Sequence, residues 1–543
     1  MPRKLNTMER RARRDVKNRS LARNMAARQK KAEQAAKKGG IFGEAGEKSS
    51  SGAKAHVDSA GVIQGLNPPS PSPTTKARRG GARPPSGSNA SAAGRAARVR
   101  IKAAAKTKTI AAKPAEARLV EIEKPIYGGA FLARAEGKAV FVSLTLPGEQ
   151  ARVRVTESKH GYATAEAEEI VRAAPERIAP ACQHFGVCGG CNYQHTNYAT
   201  QLAFKQAILR ETLERGGLNV PDEIAVLSGE PFGYRNRIRL AFDAAGNPGY
   251  RGRRSHGVVA MRECPIAAPL LVRAALAFGQ IAREVAPALR PTEITLFCDA
   301  AESALLATVF TASPAKNRFN ELALALQAKI PALTGAELVF EGRPGKPPRT
   351  LAEWGATSLA YRAAGSDYRV DHGAFFQVNR WLVDALVERV TAGHAGKLAW
   401  DLFAGVGLFA RQLATRFERV VAVESAPTAT AALAANLNGT GGAAVRAETL
   451  AFLRGNRKAP SSKSARPDLI VVDPPRTGLG AETCAHLAEL AAPAVACVSC
   501  DPATLARDLG ALIASGYQIE SIALADLFPQ TFHLETVVQL RHA

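Results

Sequence analysis

The C-terminal part of the chain alternates short apolar strands with helical stretches from Lys397 onward. Residues 397–403 form the first predicted strand, which runs into a glycine-containing loop at 404–407 and then into a helix from Leu408. Such alternation predicts a parallel sheet with covering helices, because parallel strands are joined by crossovers that are usually helical. The fold class expected for this region is therefore α/β.

The N-terminal fifth differs sharply in charge. The chain has 543 residues and a net charge of +24, and by our count residues 1–110 hold 26 basic and 6 acidic groups, a net of +20. This segment contains one aromatic residue, Phe42, and is rich in Gly, Ser and Pro from Gly39 to Ala97. It lacks the apolar area to offset chain entropy, so a disordered basic tail is expected. Such a polycation favours RNA through counterion release, although a solubilising tail and a transit peptide are alternatives.

Membrane insertion and secretion are not expected. No uncharged apolar run reaches the ~18 residues of a membrane helix, and the N-terminus is charged from Arg3. Eight cysteines in a chain of this length do not make a disulfide scaffold. Three of them cluster at Cys182, Cys188 and Cys191, and Cys264 precedes a proline, which favours a metal or cluster site in a reducing compartment. A cytoplasmic protein without a membrane partner is expected.

Two further regions are rich in strands. Period-two alternation broken by turns at 119–171 predicts a small β-barrel. A second strand-rich region covers about 224–310, where residues 234–237 and 250–254 combine tyrosines with arginines. These two patches are predicted to stack bases and bind phosphates, the alternative being solvated strand faces.

The glycine loop indicates a nucleotide-like ligand. Gly405 and Gly407 allow a tight turn and a close approach of the backbone to a ligand, and Glu424 ends the next strand, where a carboxylate can bind ribose hydroxyls. Taken alone, this motif fits a nicotinamide cofactor and S-adenosylmethionine equally well.

Three downstream segments place reactive groups at strand ends. Asp473 follows a buried strand, Cys500 stands at the exit of an apolar run that contains Cys497, and Glu535 stands just before the last apolar strand. Ligands bind at the carboxyl edge of such sheets, so Cys500 sits where a nucleophile is expected, whereas Cys497 is predicted to be a core residue.

Five ordered motifs together resemble the RNA 5-methyluridine methyltransferase family, in the branch with a TRAM barrel and an iron–sulfur cluster. The resemblance covers about residues 115–543 and leaves the basic tail outside. The motifs are Phe376-Gln377-Val378-Asn379, Asp401 to Gly407, Asp473-Pro474-Pro475-Arg476, Ser499-Cys500-Asp501-Pro502 and His533-Leu534-Glu535.

Composition predicts a disordered basic tail at 1–112, and the resemblance implies three regions after it. These are an OB-like TRAM β-barrel at 113–173, an iron–sulfur segment with a central mixed α+β RNA-binding region at 174–375, and a Rossmann-like methyltransferase domain at 376–543.

The resemblance also implies residue roles. Cys500 is expected to be the nucleophile and Glu535 the general base. Contacts around S-adenosylmethionine or the target base are expected from Gln377, Phe403, Gly405, Gly407, Glu424 and Asp473. Leu408 departs from the family, which has a polar cofactor contact at this position. The C-x5-C-x2-C spacing with remote Cys264 matches the family's [4Fe–4S] pattern, with structural zinc as the alternative.

The expected function is S-adenosylmethionine-dependent methylation of uridine C5 in structured RNA by a monomeric enzyme, with ribosomal RNA favoured over transfer RNA. The alternatives are a transfer RNA enzyme and a non-catalytic RNA-binding assembly factor that has kept the fold.

Overall fold

The computed structural model describes residues 118–342, 347–456 and 466–543. The predicted basic tail at 1–112 lies outside these residues. Among the described helices, none is both long and apolar enough to cross a membrane.

The first element is a closed five-stranded barrel, as the period-two pattern predicts. In β1 the buried Val120 and Ile122 alternate with the exposed Leu119 and Glu121. The strand order is β1-β2-β3-β5-β4, and β1 pairs with β4 to close the barrel. The strands are β1 (Arg118–Ile126), β2 (Ala130–Ala135), β3 (Lys138–Ser143), β4 (Gln150–Ser158) and β5 (Tyr162–Arg172).

A cysteine-bearing segment without strands follows the barrel and leads into helix α1 (Tyr198–Arg215) and strand β6 (Ala225–Leu227). The side chain of Asn197 caps α1 by accepting a hydrogen bond from the backbone N–H of Thr200 at 2.9 Å.

The central region is a seven-stranded mixed sheet in the order β13-β12-β11-β10-β7-β8-β9, followed by a separate ribbon of β14 and β15. Helices α2 and α3 pack their apolar faces on the large sheet. The elements are β7 (Arg237–Phe242), β8 (Pro248–Arg251), β9 (Val258–Ala260), α2 (Pro269–Val285), a 3₁₀ turn (Pro287–Leu289), β10 (Pro291–Cys298), β11 (Leu305–Thr311), α3 (Phe319–Lys329), β12 (Leu333–Phe340), β13 (Arg349–Gly355), β14 (Ser358–Ala363) and β15 (Ser366–Asp371).

The C-terminal region contains the predicted parallel sheet with covering helices. Its elements are α4 (Val383–Thr391), β16 (Gly396–Leu402), α5 (Leu408–Leu413), β17 (Phe417–Glu424), α6 (Pro427–Leu437), β18 (Gly442–Arg446), α7 (Thr449–Asn456), β19 (Leu469–Val472), α8 (Gly480–Leu490), β20 (Ala494–Ser499), α9 (Pro502–Ile513), β21 (Tyr517–Ala525) and β22 (Glu535–His542).

The strand order of this sheet determines where a ligand can bind. It is β18-β17-β16-β19-β20-β22-β21-β6, and β22 runs antiparallel between β20 and β21. The order reverses between β16 and β19, which is the position where open α/β sheets bind ligands. Successive residues of β16 point to opposite faces: Leu398 and Trp400 enter the core under α8 and α9, whereas Ala399 enters the core under α4 to α6.

One segment differs from the predicted region boundaries. Residues 198–227 were assigned to the central region, but β6 pairs with β21 and α1 packs against α9 in the C-terminal core. The sequence signal was weak because α1 buries polar residues, Gln201 and Lys205, and because β6 has only three residues.

The buried ion pair between Lys205 and Asp526 fixes α1 to the end of β21. The Nζ–Oδ1 distance is 2.5 Å, both side chains are fully buried, and Nζ also donates to the carbonyl of Phe528 at 3.0 Å. Burial lowers the pKa of Lys205, and Asp526 opposes that shift.

We expect Lys205→Met to lower the free energy of unfolding by roughly 3–5 kcal/mol, because it leaves the Asp526 carboxylate buried without a cation. Urea denaturation measures the change, and the double variant Lys205→Met/Asp526→Leu should recover much of the loss. The exposed pair Arg454–Glu482 supplies a control, since Arg454→Met should cost less than about 1 kcal/mol. A Lys205→Met protein as stable as this control contradicts the expectation.

Candidate active site at the carboxyl edge of the C-terminal sheet

The sheet brings the predicted thiol and carboxyls to one edge. Cys500 follows β20, Asp473 follows the parallel neighbour β19, and Glu535 begins the antiparallel neighbour β22. Since β22 runs opposite to β20, its first residues lie beside the end of β20, and Thr536 pairs with Ser499. Cys500 and Asp473 are half-buried, and Glu535 is buried.

Electrostatics keep the Cys500 thiol protonated. Burial raises its pKa most, the charges of Glu535 and Asp473 raise it further, and Arg476 opposes them. The adjacent Asp501 caps α9, since its carboxylate accepts hydrogen bonds from the N–H groups of residues 503 and 504, both at 3.0 Å. The thiol is therefore held at a fixed strand-to-helix junction and has to lose its proton to react.

The two carboxyls of the site influence one another. Burial raises the pKa of Asp473 to about 7, and it raises that of Glu535 well above its ordinary value, with a further contribution from the Asp473 charge. Arg476 lowers the pKa of Glu535 but does not cancel the shift. A carboxylate with a raised pKa is the stronger proton acceptor once it is ionised.

The glycine loop forms an open cradle. Phe403, Gly405 and Gly407 all have positive φ angles, of 68°, 56° and 91°. A Cβ at Gly407 would lie 2.6 Å from a methyl of Leu433, whereas a Cβ at Gly405 would meet no atom within 4 Å. The N–H of Gly405 donates to Glu424 Oε2 at 3.0 Å, so the carboxylate at the end of β17 is fixed beside the cradle.

Asp401 is a fully buried acid for which the motifs predict no role. Its Oδ2 accepts a hydrogen bond from the N–H of Ala410 at 2.9 Å, and its Oδ1 has no hydrogen-bond partner. Burial, followed by the charges of Asp473 and Glu424, raises its pKa to about 8. An acidic residue in an otherwise apolar strand was the available signal.

Gln377 lies buried in the connection between β15 and α4. Its carbonyl accepts a hydrogen bond from Asn236 Nδ2 at 2.9 Å, and its neighbour Phe376 packs in the same core as Ala404 and Val406 of the glycine loop. Gln377 is thus linked to the glycine loop through its neighbour Phe376. Leu408, the residue that departs from the family, is buried in this core too.

The barrel reaches the site through Tyr127, a contact that sequence reasoning missed. Its hydroxyl donates to the carbonyl of Cys500 at 3.3 Å, and its ring meets the edge of Phe532 at a centroid distance of 5.6 Å. The only local signal was a tyrosine before the Gly128-Gly129 turn.

A second missed contact joins two of the motifs. Arg476 Nη2 lies 3.0 Å from His533 Nδ1. Burial, followed by the charge of Arg476, lowers the pKa of His533 well below its ordinary value, so the ring is neutral and accepts this hydrogen bond. The pair connects the loop after β19 with the residue two positions before Glu535.

The four predicted metal ligands line one cavity of about 50 Å³, together with Arg235 and Tyr250. Within the described ranges, however, no group of three or more Cys, His, Asp or Glu side chains is arranged to hold a single metal ion. His195, which follows the cysteines in the same segment, has its Nε2 3.0 Å from the carbonyl of Thr145. The four predicted metal ligands that line this cavity are Cys182, Cys188, Cys191 and Cys264.

Comparison with known proteins decides the family. Residues 356–543 match the family model described as tRNA (Uracil-5-)-methyltransferase, and residues 113–167 match the TRAM domain. An uncharacterized RNA methyltransferase of Streptomyces avermitilis is 34% identical over 453 residues, covering 78% of this chain and 98% of that protein. The 23S rRNA (uracil(1939)-C(5))-methyltransferase RlmD of Halomonas elongata is 32% identical over 423 residues, covering 75% of this chain and 86% of that protein. The chain belongs to the RNA uracil-C5 methyltransferase family.

This membership makes the protein an S-adenosylmethionine-dependent RNA methyltransferase, and it decides the cofactor alternative against a nicotinamide. Among solved structures, the tRNA (uracil-54, C5)-methyltransferase of Pyrococcus abyssi, in complex with S-adenosyl-L-homocysteine, has a TM-score of 0.63 and 24% identity. The match covers 78% of this chain and all of that one, which shows a shared fold.

One predicted RNA-binding patch of this methyltransferase is wrong. Tyr234, Arg235 and Arg237 are buried rather than exposed, so they are neither a nucleic-acid surface nor a solvated strand face. Arg237 donates to the carbonyl of Ala374 at 2.6 Å and stacks on the ring of Phe297. These arginines serve the packing between the central sheet and its neighbours.

The second patch is largely occupied as well. Arg251 pairs with Glu293, and Arg253 pairs with Glu166 of the barrel at 2.9 Å. The Arg251 pair lies within the central sheet, whereas the Arg253 pair joins the barrel to the loop after β8 of that sheet.

The raised pKa of Asp401 predicts a pH-dependent stability. Between its ordinary value near 4 and about 8, the folded protein keeps a proton that the unfolded chain loses. The contribution of Asp401 to the free energy of unfolding therefore falls as pH rises through this window, by up to ~1.4 kcal/mol per pH unit. In Asp401→Asn, which has no proton to lose, the free energy of unfolding should decline less steeply across this window than in the wild type. Urea denaturation at several pH values tests this, with the exposed Asp367→Asn as a matched control. Equal slopes in Asp401→Asn and the wild type contradict it.

Proposed function

We propose that this enzyme methylates C5 of a uridine in ribosomal RNA through a covalent bond between the Cys500 sulfur and C6 of the uracil. Glu535 then removes the C5 proton. The observation that supports the proposal most is the meeting of thiol and carboxyl at one sheet edge, on the paired strands β20 and β22.

The chemistry requires both groups. C5 of uracil is too weak a nucleophile to attack a methyl sulfonium, so addition of a thiolate at C6 is needed to make C5 an enolate carbon. S-adenosylmethionine supplies an electrophilic methyl group. Glu535 accepts the C5 proton after methyl transfer, the electron pair of that C–H bond re-forms the C5–C6 double bond, and the Cys500–C6 bond breaks.

The burial of Cys500 agrees with this role. A thiol of raised pKa is a strong nucleophile once ionised, and its proton has to leave as the C6 bond forms. Arg476 is the cation that opposes the shift, which supports a part for the Asp473-Pro-Pro-Arg476 loop in activating the thiol.

We assign Asp473 to the polar edge of the base. An ionised carboxylate accepts a hydrogen bond from N3–H of uracil, whereas cytosine has an acceptor at N3 and gives it no such partner. The raised pKa of Asp473, which burial causes, supports this assignment, because a poorly solvated carboxylate that a cytosine leaves unpaired is costly.

The residues of the glycine loop suit S-adenosylmethionine. Open space above Gly405 admits the ligand, Gly407 and Phe403 shape the turn, and the Glu424 carboxylate is held where ribose hydroxyls can reach it. Gln377 completes the proposed set through its link to the same core.

Ribosomal RNA is proposed over transfer RNA because the relatives named RlmD act on 23S rRNA and span most of this chain. A non-catalytic assembly factor has no need for the paired thiol and carboxyl. The monomeric state and cytoplasmic location stay predictions.

We also propose a [4Fe–4S] cluster on Cys182, Cys188, Cys191 and Cys264. The donor set fits, since four thiols line one cavity and thiolates are the usual ligands of such clusters. Structural zinc, the alternative, takes four sulfurs about 2.3 Å from a single ion, most often as two short C-x2-C units, which the C-x5-C-x2-C spacing with remote Cys264 resembles less. The cluster would crosslink the segment between barrel and α1 to the residue before Pro265, a structural role.

Trapping with 5-fluorouridine RNA tests the covalent mechanism, because fluorine at C5 blocks the removal step. The wild type should form a denaturation-resistant adduct with a 23S rRNA fragment, and more slowly, if at all, with transfer RNA. Cys500→Ala should form none, and Glu535→Gln should form adducts even with ordinary uridine. Full methylation activity in Cys500→Ala, measured by transfer of a labelled methyl group, contradicts the mechanism.

Metal analysis tests the cluster. Anaerobically purified protein should contain about four iron and four sulfide per chain, and a visible absorption band that Cys188→Ser and Cys264→Ser abolish. The buried core thiol offers a matched control, because Cys497→Ser should keep the iron. One zinc per chain without iron contradicts the assignment.

A further inference from the structure

The loop between β21 and β22, residues 526–534, leads directly to Glu535 and is held in a strained conformation. Gln530 has a φ of 68°, in the left-handed region that a residue with a branched or long side chain seldom adopts. Such a conformation costs of order 1–3 kcal/mol and persists only when its surroundings impose it.

Gln201 of α1 imposes this conformation with its whole amide group. Its Oε1 accepts a hydrogen bond from the N–H of Gln530 at 2.9 Å, and its Nε2 donates to Gln530 Oε1 and to the carbonyl of Thr196, both at 3.0 Å. Gln201 is fully buried and Gln530 is 3% exposed. The amide of Gln201 therefore binds both the backbone N–H and the side-chain oxygen of Gln530.

The cysteine-bearing segment holds the same loop from its other side. The carbonyl of Gln530 accepts hydrogen bonds from the N–H groups of Asn192 and Tyr193, at 2.9 and 3.1 Å. Asn192 Oδ1 accepts a weaker one from the N–H of Phe532 at 3.4 Å. The backbone N–H, the carbonyl and the side-chain Oε1 of Gln530 are thus all bonded to residues distant in sequence.

The thiol depends on different supports. Cys500 is placed mainly by β20 and by the Asp501 cap of α9, neither of which involves Gln530. Tyr127, whose ring packs on Phe532 of the loop, adds one hydrogen bond to the Cys500 carbonyl at 3.3 Å. Glu535 is five residues after Gln530, and a shift of about 1 Å in a reacting group can cost ~10²-fold in rate. A displaced loop should therefore move the base relative to the adduct while leaving the nucleophile in place.

We propose that Gln201 and Gln530 are positioning residues for the removal of the C5 proton by Glu535. This inference rests on the proposed function, since it assumes the covalent adduct on Cys500. It assigns to helix α1 and the cysteine-bearing segment a part in the last step of the reaction.

The test compares Gln201→Met and Gln530→Asn with the control Gln539→Met. Asparagine tolerates the left-handed conformation but is too short to keep the amide pair. Gln539 lies on β22 like Glu535, and its amide instead donates to the carbonyl of Arg389 at 2.9 Å. Single-turnover reactions with ordinary uridine RNA measure the methylated product and the denaturation-resistant adduct, and 5-fluorouridine RNA measures adduct formation alone.

In both loop variants we expect the covalent adduct on ordinary uridine to break down to methylated product about tenfold more slowly, so that this adduct accumulates. Trapping on 5-fluorouridine RNA should stay within about twofold of the wild type, because it does not require proton removal. Gln539→Met should behave like the wild type. Product formation and trapping that fall together, or unchanged breakdown of the adduct, overturn the proposal. If Gln201→Met fails to fold in thermal unfolding, Gln530→Asn decides. A wild type that traps no 5-fluorouridine RNA instead overturns the covalent mechanism itself.

Discussion

The antiparallel insertion of β22 between β20 and β21 is the constraint on which the site depends. In an all-parallel sheet, the first residue of a strand lies at the edge opposite to the exits of its neighbours. Because β22 runs the other way, Glu535 at its start lies beside Cys500 at the exit of β20. Both faces of the sheet are covered by helices, and its residues are almost all buried, so this register cannot slip without exposing the core.

Burial then sets the chemistry of the groups at that edge. Asp401, Asp473 and Glu535 are three acids in a poorly hydrated region, and Arg476 is the cation that acts on both Glu535 and Cys500. Desolvation disfavours their charged forms, so the site holds protons at neutral pH that exposed carboxyls would have lost. In the proposed reaction a raised pKa makes Glu535 a stronger acceptor for the C5 proton, and it makes Cys500 a stronger nucleophile once its thiol has ionised.

The sequence predicted those features whose physical cause lies within a few neighbouring residues. Alternation in β1 predicted the barrel, and Gly405 and Gly407 predicted the tight turn after β16, where both have positive φ angles. Acids and a thiol directly after apolar strands predicted the sheet edge, since strand exits in a parallel sheet share one edge.

What the sequence did not predict depends on distant partners. Tyr127 meets Cys500 across 373 residues, and Gln201 meets Gln530 across 329 residues, so no window of sequence contains either contact. The arginines of 234–237 look exposed because buried cations are rare, yet Arg237 is buried with its guanidinium on the carbonyl of Ala374 and over the ring of Phe297. The three-residue β6 is recognisable only beside β21, which it extends.

Nucleoside mass spectrometry of separated ribosomal and transfer RNA, from cells with and without this gene, tests the proposed reaction most directly. We predict that 5-methyluridine at one position disappears from ribosomal RNA when the gene is deleted, returns with the wild-type gene and does not return with Cys500→Ala. Unchanged 5-methyluridine in both RNA pools, or a loss confined to transfer RNA, would contradict it.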